Sequence, residues 1–164
     1  MMNSSKRLNQ EPGAAPRLRR RAGQAIVEFA LILPILLAVL IGIMEFGFLV
    51  KNQLQISNAT REGARAASLG KTTTEIRTRV KNTAQPLTVL DSQIAITWSA
   101  DNGADNYPFT VSDTTVGGVT QNNVAAGRMI RVRTSYPHTG LTGFFPFMNS
   151  RTIAIQVTMR REAT

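Results

Sequence analysis

A glycine and a glutamate five residues apart stand at the start of a long apolar run, where Gly23 and Gln24 are followed by Glu28. Because glycine has no side chain, the peptide bond after Gly23 can enter a narrow peptidase cleft. Cleavage of that bond would release the basic leader, residues 1–23, and create a new ammonium group on Gln24. In an array of parallel helices, that ammonium group could pair with the Glu28 carboxylate of a neighbouring chain.

The position of Glu28 inside apolar sequence allows two interpretations. A charged carboxylate within a bilayer is costly unless it is paired, so an intramembrane acid is a candidate for a functional role. In the first interpretation, Glu28 guides assembly by pairing with the amine of a neighbour. In the second, Glu28 lies near the helix end and simply extends its carboxylate to the lipid headgroups.

Few other residues in this sequence could support catalysis or metal binding. There is no cysteine, and His138 is the only histidine, so neither a zinc site nor a Ser-His dyad with its usual motif can be built. Three aspartates, Asp101, Asp105 and Asp113, lack the ligand spacing of a calcium-binding loop, and we expect them in a solvated loop. His138, between a proline and a threonine, is expected to be an exposed loop residue. The sequence therefore predicts a structural or binding protein without an enzymatic site, a metal site or a cofactor.

The apolar run is long enough to cross a membrane. Residues 29–44 contain no charged side chain, and residues 24–50 contain only two, both glutamates. At about 1.5 Å per residue, the longer run reaches roughly 40 Å, which exceeds the roughly 30 Å of a bilayer's hydrocarbon core. A secretory signal peptide fits less well, because no small-residue cleavage site follows the run. The sequence predicts a transmembrane helix over residues 24–50, locally loosened at Pro34.

The charges that flank this helix predict its orientation. Four arginines occupy the five positions 17–21, whereas Lys51 stands alone at the other end. Basic residues next to a transmembrane helix favour the cytoplasmic side. We therefore expect the leader, residues 1–23, in the cytoplasm and residues 51–164 on the opposite side of the membrane.

Helical periodicity continues beyond the membrane over residues 51–70. Three small residues, Ala59, Gly63 and Ala67, recur every four positions and form a ridge on one helix face. Such a ridge lets another backbone approach closely, either from the protein's own sheet or from a neighbouring helix. Glycine costs about 1 kcal/mol of helix propensity, which packing at Gly63 should offset.

The remaining residues, 71–164, are expected to form a small α+β domain. Thr72 and Glu75 have capping-box spacing, which predicts a second helix that ends before Pro86. Three later segments alternate apolar and polar residues as strands do: Ile94–Trp98, Met129–Thr134 and Ile153–Met159. The fold class is therefore α+β, with a long N-terminal transmembrane helix that extends into a small antiparallel β-sheet domain.

Two segments between these strands lack strand periodicity. Residues 100–127 are rich in Gly, Asn, Asp and Thr and are predicted to form a loop. A second loop contains three phenylalanines, Phe144, Phe145 and Phe147. These aromatic residues either fold back over the core or present a contact patch to a partner subunit.

The segment from Gly23 to Phe29 resembles the prepilin-type processing signature of the tight-adherence (Tad) pilus system. In that signature a glycine precedes the cut, and a glutamate and an aromatic residue occupy the fifth and sixth mature positions, here Glu28 and Phe29. More broadly, residues 25–68 resemble the TadE-like family across its defining segment. The shared marks are Glu28 with Phe29, Pro34, Glu45–Gly47 and the Arg-Glu-Gly-Ala-Arg run at Arg61–Arg65.

The resemblance implies a pilin-like fold and a role as a minor pseudopilin of the Tad (Flp, type IVc) pilus machinery. It implies cleavage between Gly23 and Gln24 by a membrane aspartic prepilin peptidase, and assembly through Glu28 and Phe29. The implied partners are other Tad pilins and pseudopilins, the inner-membrane pilus assembly platform and membrane lipid. The implied location is the bacterial cytoplasmic membrane.

An alternative function follows from the basic character of the chain, which has a net charge of +9 and a pI near 11.3. In this alternative, the protein is an uncleaved single-pass envelope protein whose external domain binds DNA or acidic polysaccharide. Six arginines could meet on the sheet: Arg128, Arg131, Arg133, Arg151, Arg160 and Arg161. The strands contain few aromatic residues for base stacking, so nucleic acid is not the expected partner.

Overall fold

A computed structural model describes residues 18–146 and 151–163, with side chains from Gly23 onward. The chain divides into two compact units, Met1–Leu40 and Ile41–Thr164. The first unit, in its described part, is helical. The second unit contains the end of the same helix, a second helix and two small antiparallel sheets.

Helix α1, Leu18–Ser68, is 51 residues long and continues through Pro34. From Gly23 to Ser68 it is long and apolar enough to cross a membrane, and it is the one such helix in the described residues. The helix ends in a Schellman motif, in which Gly70 N–H donates to Ala67 and Lys71 N–H donates to Ala66. Gly70 has φ +80°, which explains the glycine at this position.

Helix α2, Thr73–Ala84, begins at the predicted capping box. The Thr72 hydroxyl accepts the Glu75 N–H at 3.2 Å, and the Glu75 carboxylate accepts the Thr72 N–H at 2.9 Å. The apolar side chains Ile76, Val80 and Ala84 are buried. Local sequence therefore predicted the start of this helix correctly.

The main sheet has four antiparallel strands in the order β2-β1-β5-β6. Its strands are β1 (Ile94–Ser99), β2 (Phe109–Thr110), β5 (Met129–His138) and β6 (Arg151–Arg160), and a short 3₁₀ turn, Asp91–Gln93, precedes β1. Strands β5 and β6 pair along their full length, with Val132 opposite Val157. The three longer strands, β1, β5 and β6, contain the three predicted segments. The predicted α+β class is confirmed.

The hydrophobic core of the second unit lies between the helices and one face of the sheet. It includes Ile56 and Ala59 of α1, Ile76 and Val80 of α2, and Ile96, Ile130 and Val132 of the sheet. Because strand residues alternate between faces, Arg131 and Arg133 lie on the opposite face. The core thus fixes which face of α1 is covered by the domain.

Residues 100–127 differ from the predicted loop. Besides β2, they contain a two-stranded hairpin formed by β3 (Asp113–Val116) and β4 (Val119–Asn122). Gly117 and Gly118 form its turn, and both have positive φ. The hairpin has little apolar alternation because most of its side chains are exposed, so the periodicity that marks a half-buried strand is weak here.

Candidate functional site

The predicted processing and assembly residues lie on consecutive turns of α1 in the first unit. Among the described residues, apart from the chain neighbours of Gly23 and the backbone of the helix itself, no atom lies within 4 Å of the position that a Cβ on Gly23 would occupy. The Gln24 side-chain amide donates a hydrogen bond to Glu28 at 3.3 Å. Phe29 is 61% exposed. In the single chain, therefore, Glu28 contacts its own Gln24 side chain, and Phe29 is available for contact.

The predicted packing residues, Ala59, Gly63 and Ala67, lie in the second unit. Ala59 and Ala67 are fully buried. A Cβ added to Gly63 would overlap the Cγ2 of Val80 on α2 and would lie 3.6 Å from Val132 on β5. The close approach at Gly63 is therefore made by the protein's own second helix, with the sheet beside it.

A row of buried polar residues connects α1 to β5 and to the loop that follows it, and sequence reasoning missed this row. Glu45, Asn52 and Thr60 occupy one side of α1 at steps of seven and eight residues, and each is almost inaccessible to solvent. Steps of seven and eight place side chains on the same helix face. Glu45 is the one charged residue between Phe29 and Val50, which was a usable signal for one member of the row, whereas Asn52 and Thr60 lie in polar sequence.

Each member of the row has a partner across the interface. The Thr60 hydroxyl donates to Thr134 at 3.0 Å, and the Asn52 amide lies 3.2 Å from Nδ1 of His138. Glu45 accepts three hydrogen bonds from the loop after β5: from Leu141 N–H at 2.9 Å, Thr142 N–H at 2.6 Å and the Thr142 hydroxyl at 2.6 Å. Buried polar groups paired in this way fix the alignment of α1 on the sheet.

The prediction that His138 is exposed was wrong. His138 is only 1% exposed, and it is the last residue of β5, opposite Arg151 of β6. Its ring lies 5.9 Å from that of Phe48, and its Nε2 atom has no hydrogen-bond partner among the residues that the structure describes. Strand β5 continues through Pro137 to His138 because β6 pairs with it that far. Pairing between distant segments is not visible in the local sequence.

The three aspartates considered for calcium stabilise loops and a helix end. Asp101 accepts hydrogen bonds from the Ser99 hydroxyl and from the N–H of Asp105. Asp113 accepts bonds from the N–H and hydroxyl of Thr73 at 2.7 and 2.9 Å, at the first turn of α2. Among the described residues, no group of three or more acidic, histidine or cysteine side chains could hold a metal ion.

The arginines that could form an anion-binding face are partly occupied by contacts within the protein. Arg161 is buried and donates to Ser68 O and to the Gln121 side chain. Arg160 donates to Gly127 O at 2.9 Å, and the Arg131 guanidinium lies 3.7 Å from the centre of the Tyr107 ring. The six arginines therefore do not form one open cationic surface, which weakens the polyanion-binding alternative.

Comparison with known protein families gives a match over part of the chain. The sequence model of the TadE-like protein family matches residues 23–65, which confirms the family resemblance. The matched segment includes the processing and assembly positions and the packing residues Ala59 and Gly63, and it ends before Ala67. No curated protein and no solved structure gave a significant match.

Proposed function

On the premise that residues 23–65 form a TadE-like segment, we propose that this protein is a pseudopilin-like, membrane-anchored structural component in the assembly of a Tad (Flp, type IVc) pilus or a related secretion apparatus. The observation that carries the proposal is the family match, because it begins at Gly23 and covers Glu28 and Phe29. The TadE-like family is structural and pilus-related, and the apolar helix is compatible with single-pass anchoring.

The proposed partners correspond to successive steps of assembly. A prepilin peptidase cleaves after Gly23, on the cytoplasmic side of the bacterial inner membrane. Other Tad pilins and pseudopilins then pack against exposed apolar side chains of α1, such as Phe29. The inner-membrane assembly platform receives the processed helix, while the domain from residue 51 onward remains outside the cytoplasm.

Glu28 has a specific role in this proposal. Its carboxylate contacts the Gln24 side chain of the same chain at 3.3 Å, an exposed neutral-to-charged hydrogen bond. Cleavage would add a charged amine at Gln24, and the amine of a neighbouring chain is a stronger partner in a low-dielectric setting. The gain of this ion pair would favour assembly after cleavage and would offset the loss of any contact between the carboxylate and lipid headgroups.

N-terminal sequencing of protein from pilus-producing cells tests the cleavage step. We expect the wild-type protein to begin at Gln24, and the Gly23→Val variant to retain its leader while still inserting in the membrane. Gly47→Val is the matched control, because Gly47 is another glycine of α1 whose Cβ position has no described atom within 4 Å apart from its chain neighbours and the helix backbone. Wild-type protein that retains Met1 or Met2 would replace the cleavage mechanism with an uncleaved anchor.

Crosslinking to other pilus components tests the assembly step. Glu28→Gln should be inserted and cleaved but crosslink less than wild type, because the new amine loses its charge partner. Glu28→Asp keeps the charge and should recover part of the crosslinking. If Glu28→Gln crosslinks as well as wild type, the carboxylate only extends to the headgroups and has no role in assembly.

A further inference from the structure

The loop between β5 and β6, whose described part is residues 139–146, is held on the side of α1. We name these residues the aromatic loop. Glu45 of α1 accepts the N–H groups of Leu141 and Thr142, and the Thr142 hydroxyl as well. The ring of Phe145 lies 3.6 Å from the Cβ position of Gly42. The aromatic loop therefore packs on α1 at residues 42–45.

The outer surface of the aromatic loop is apolar. Leu141 is 55% exposed and Phe144 is 56% exposed, and the Phe144 ring packs edge-on against Phe145 with 5.0 Å between ring centres. Residues 139–146 contain no charged side chain. Phe147, which the sequence grouped with these aromatics, lies outside the described residues. The two exposed side chains thus present apolar area to the surroundings rather than covering the core.

Apolar side chains of α1 are exposed at the same level of the helix. Ile43, Met44 and Phe46 are all exposed, and they flank the loop's attachment at Glu45. Monomeric soluble proteins rarely expose contiguous apolar patches of this kind, and such patches mark interaction sites for protein or membrane. The helix residues belong to the apolar run, so the surface they share with the loop is a candidate lipid contact.

The length of the helix gives the depth of this contact. A span needs about 20 apolar residues at about 1.5 Å each, so a span that begins near Ile26 ends near Glu45. Lys51 is the first basic residue after that point on α1, and Arg151 is the first after the loop. Apolar and aromatic side chains followed by basic ones are typical of the interface between hydrocarbon and headgroups.

We propose that the aromatic loop contacts the bilayer surface on the domain side of the membrane, with Leu141 and Phe144 inserted at the boundary of headgroups and acyl chains. Glu45 is the positioning residue. At that depth an unpaired carboxylate is costly, and the two loop N–H groups and the Thr142 hydroxyl supply its partners. The contact sets how close the domain stands to the membrane. This proposal rests on the membrane anchoring that is part of the proposed function.

Tryptophan quenching by brominated lipids tests the proposal with the full chain in vesicles of phosphatidylcholine and phosphatidylglycerol. The chain has one tryptophan, Trp98, so the Trp98→Phe variant has no tryptophan fluorescence of its own. Three single tryptophans are then compared: Phe144→Trp in the aromatic loop, Leu37→Trp in the apolar run and Val119→Trp at the exposed turn of the β3–β4 hairpin. Lipids brominated near the headgroup or near the chain end give the depth, and aqueous iodide gives solvent access.

We expect Phe144→Trp to lose most fluorescence with bromine near the headgroup, and Leu37→Trp with bromine deep in the chain. Val119→Trp should respond to iodide alone. The proposal is overturned if Phe144→Trp behaves like Val119→Trp while Leu37→Trp is quenched by lipid. It is also overturned if Phe144→Trp is shielded from both lipid and iodide, which indicates contact with another chain. If Leu37→Trp is not quenched by lipid, membrane anchoring itself fails.

The positioning role of Glu45 is tested by adding Glu45→Leu to the Phe144→Trp protein. Removal of the carboxylate leaves the Leu141 and Thr142 N–H groups without their acceptor, so the shallow quenching should decrease and iodide access should rise. Glu45→Leu in the Leu37→Trp protein checks that the helix still inserts. An unchanged quenching profile for Phe144→Trp would show that Glu45 does not position the loop.

Discussion

At the residue scale, Gly63 lies where α1 packs against α2, and a Cβ added to it would overlap Val80. The small side chain at Gly63 indicated a close approach, but the spacing of Ala59, Gly63 and Ala67 could not show that Val80 of α2 makes it. His138 shows the same limit more sharply, because its flanking residues indicated a loop and the pairing of β5 with β6 buries it. The partner of a residue depends on contacts between distant segments, which local sequence does not encode.

The contact at Gly63 leads to a prediction about stability. Gly63→Ala should destabilise the domain by about 1–3 kcal/mol, because the added methyl group overlaps the stiff, buried side chain of Val80. The gain of about 1 kcal/mol in helix propensity does not offset this overlap. Urea unfolding of the full chain in detergent micelles, followed by Trp98 fluorescence, measures the change.

The double variant Gly63→Ala with Val80→Ala is the control for this contact. Truncation of Val80 makes room for the new methyl group, so the double variant should be more stable than Val80→Ala alone. Gly63→Ala should therefore change from destabilising to stabilising when Val80 is truncated, which is a coupling that only neighbouring residues show. Equal effects of Gly63→Ala in both backgrounds would contradict the packing described for α1 and α2.

At the scale of secondary-structure elements, local signals predicted most of the fold. The capping box at Thr72 and Glu75 and the alternation in β1, β5 and β6 appear as expected. The β3–β4 hairpin was missed because its exposed strands lack an apolar face. The polar row of α1 was also missed, because its members are far apart in sequence and their partners lie on β5 and the aromatic loop.

The capping box gives a prediction about pH. The backbone N–H of Thr72, and then its hydroxyl, donate to the Glu75 carboxylate and hold the pKa of Glu75 below its ordinary value of 4.5. Because the folded pKa is lowered, ionised Glu75 contributes stability that is fully present above about pH 4.5. That contribution is lost as the pH falls through the folded pKa.

Urea unfolding of the wild type and the Glu75→Gln variant at a series of pH values from neutral to acid tests this prediction. Glutamine keeps the capping geometry but cannot ionise. Below about pH 4.5, the ordinary pKa of Glu75, we expect the free energy of unfolding of the wild type to fall more steeply than that of the variant. The free energies of unfolding of the two proteins should converge at the lowest pH. Parallel curves throughout would show that ionised Glu75 does not stabilise the start of α2.

At the scale of the whole molecule, the orientation in the membrane depends on charges close to the helix ends. Four arginines lie at positions 17–21, against Lys51 at the other end. The domain from residue 51 onward is basic as well, with thirteen basic and seven acidic residues in 51–164, but long domains cross the membrane largely regardless of their charge. The basic domain therefore does not oppose the orientation that the arginines favour.

We therefore predict that protease added to intact spheroplasts digests the domain from residue 51 onward, and that the leader, where it is still attached, becomes accessible only after the membrane is opened. Replacement of the four arginines at positions 17–21 by glutamine is the matched control. It removes the asymmetry without changing the apolar run, so a fraction of the molecules should become protected. Complete protection of the wild-type domain, with an accessible leader, would reverse the orientation and exclude a pilus role, because the domain would then lie in the cytoplasm.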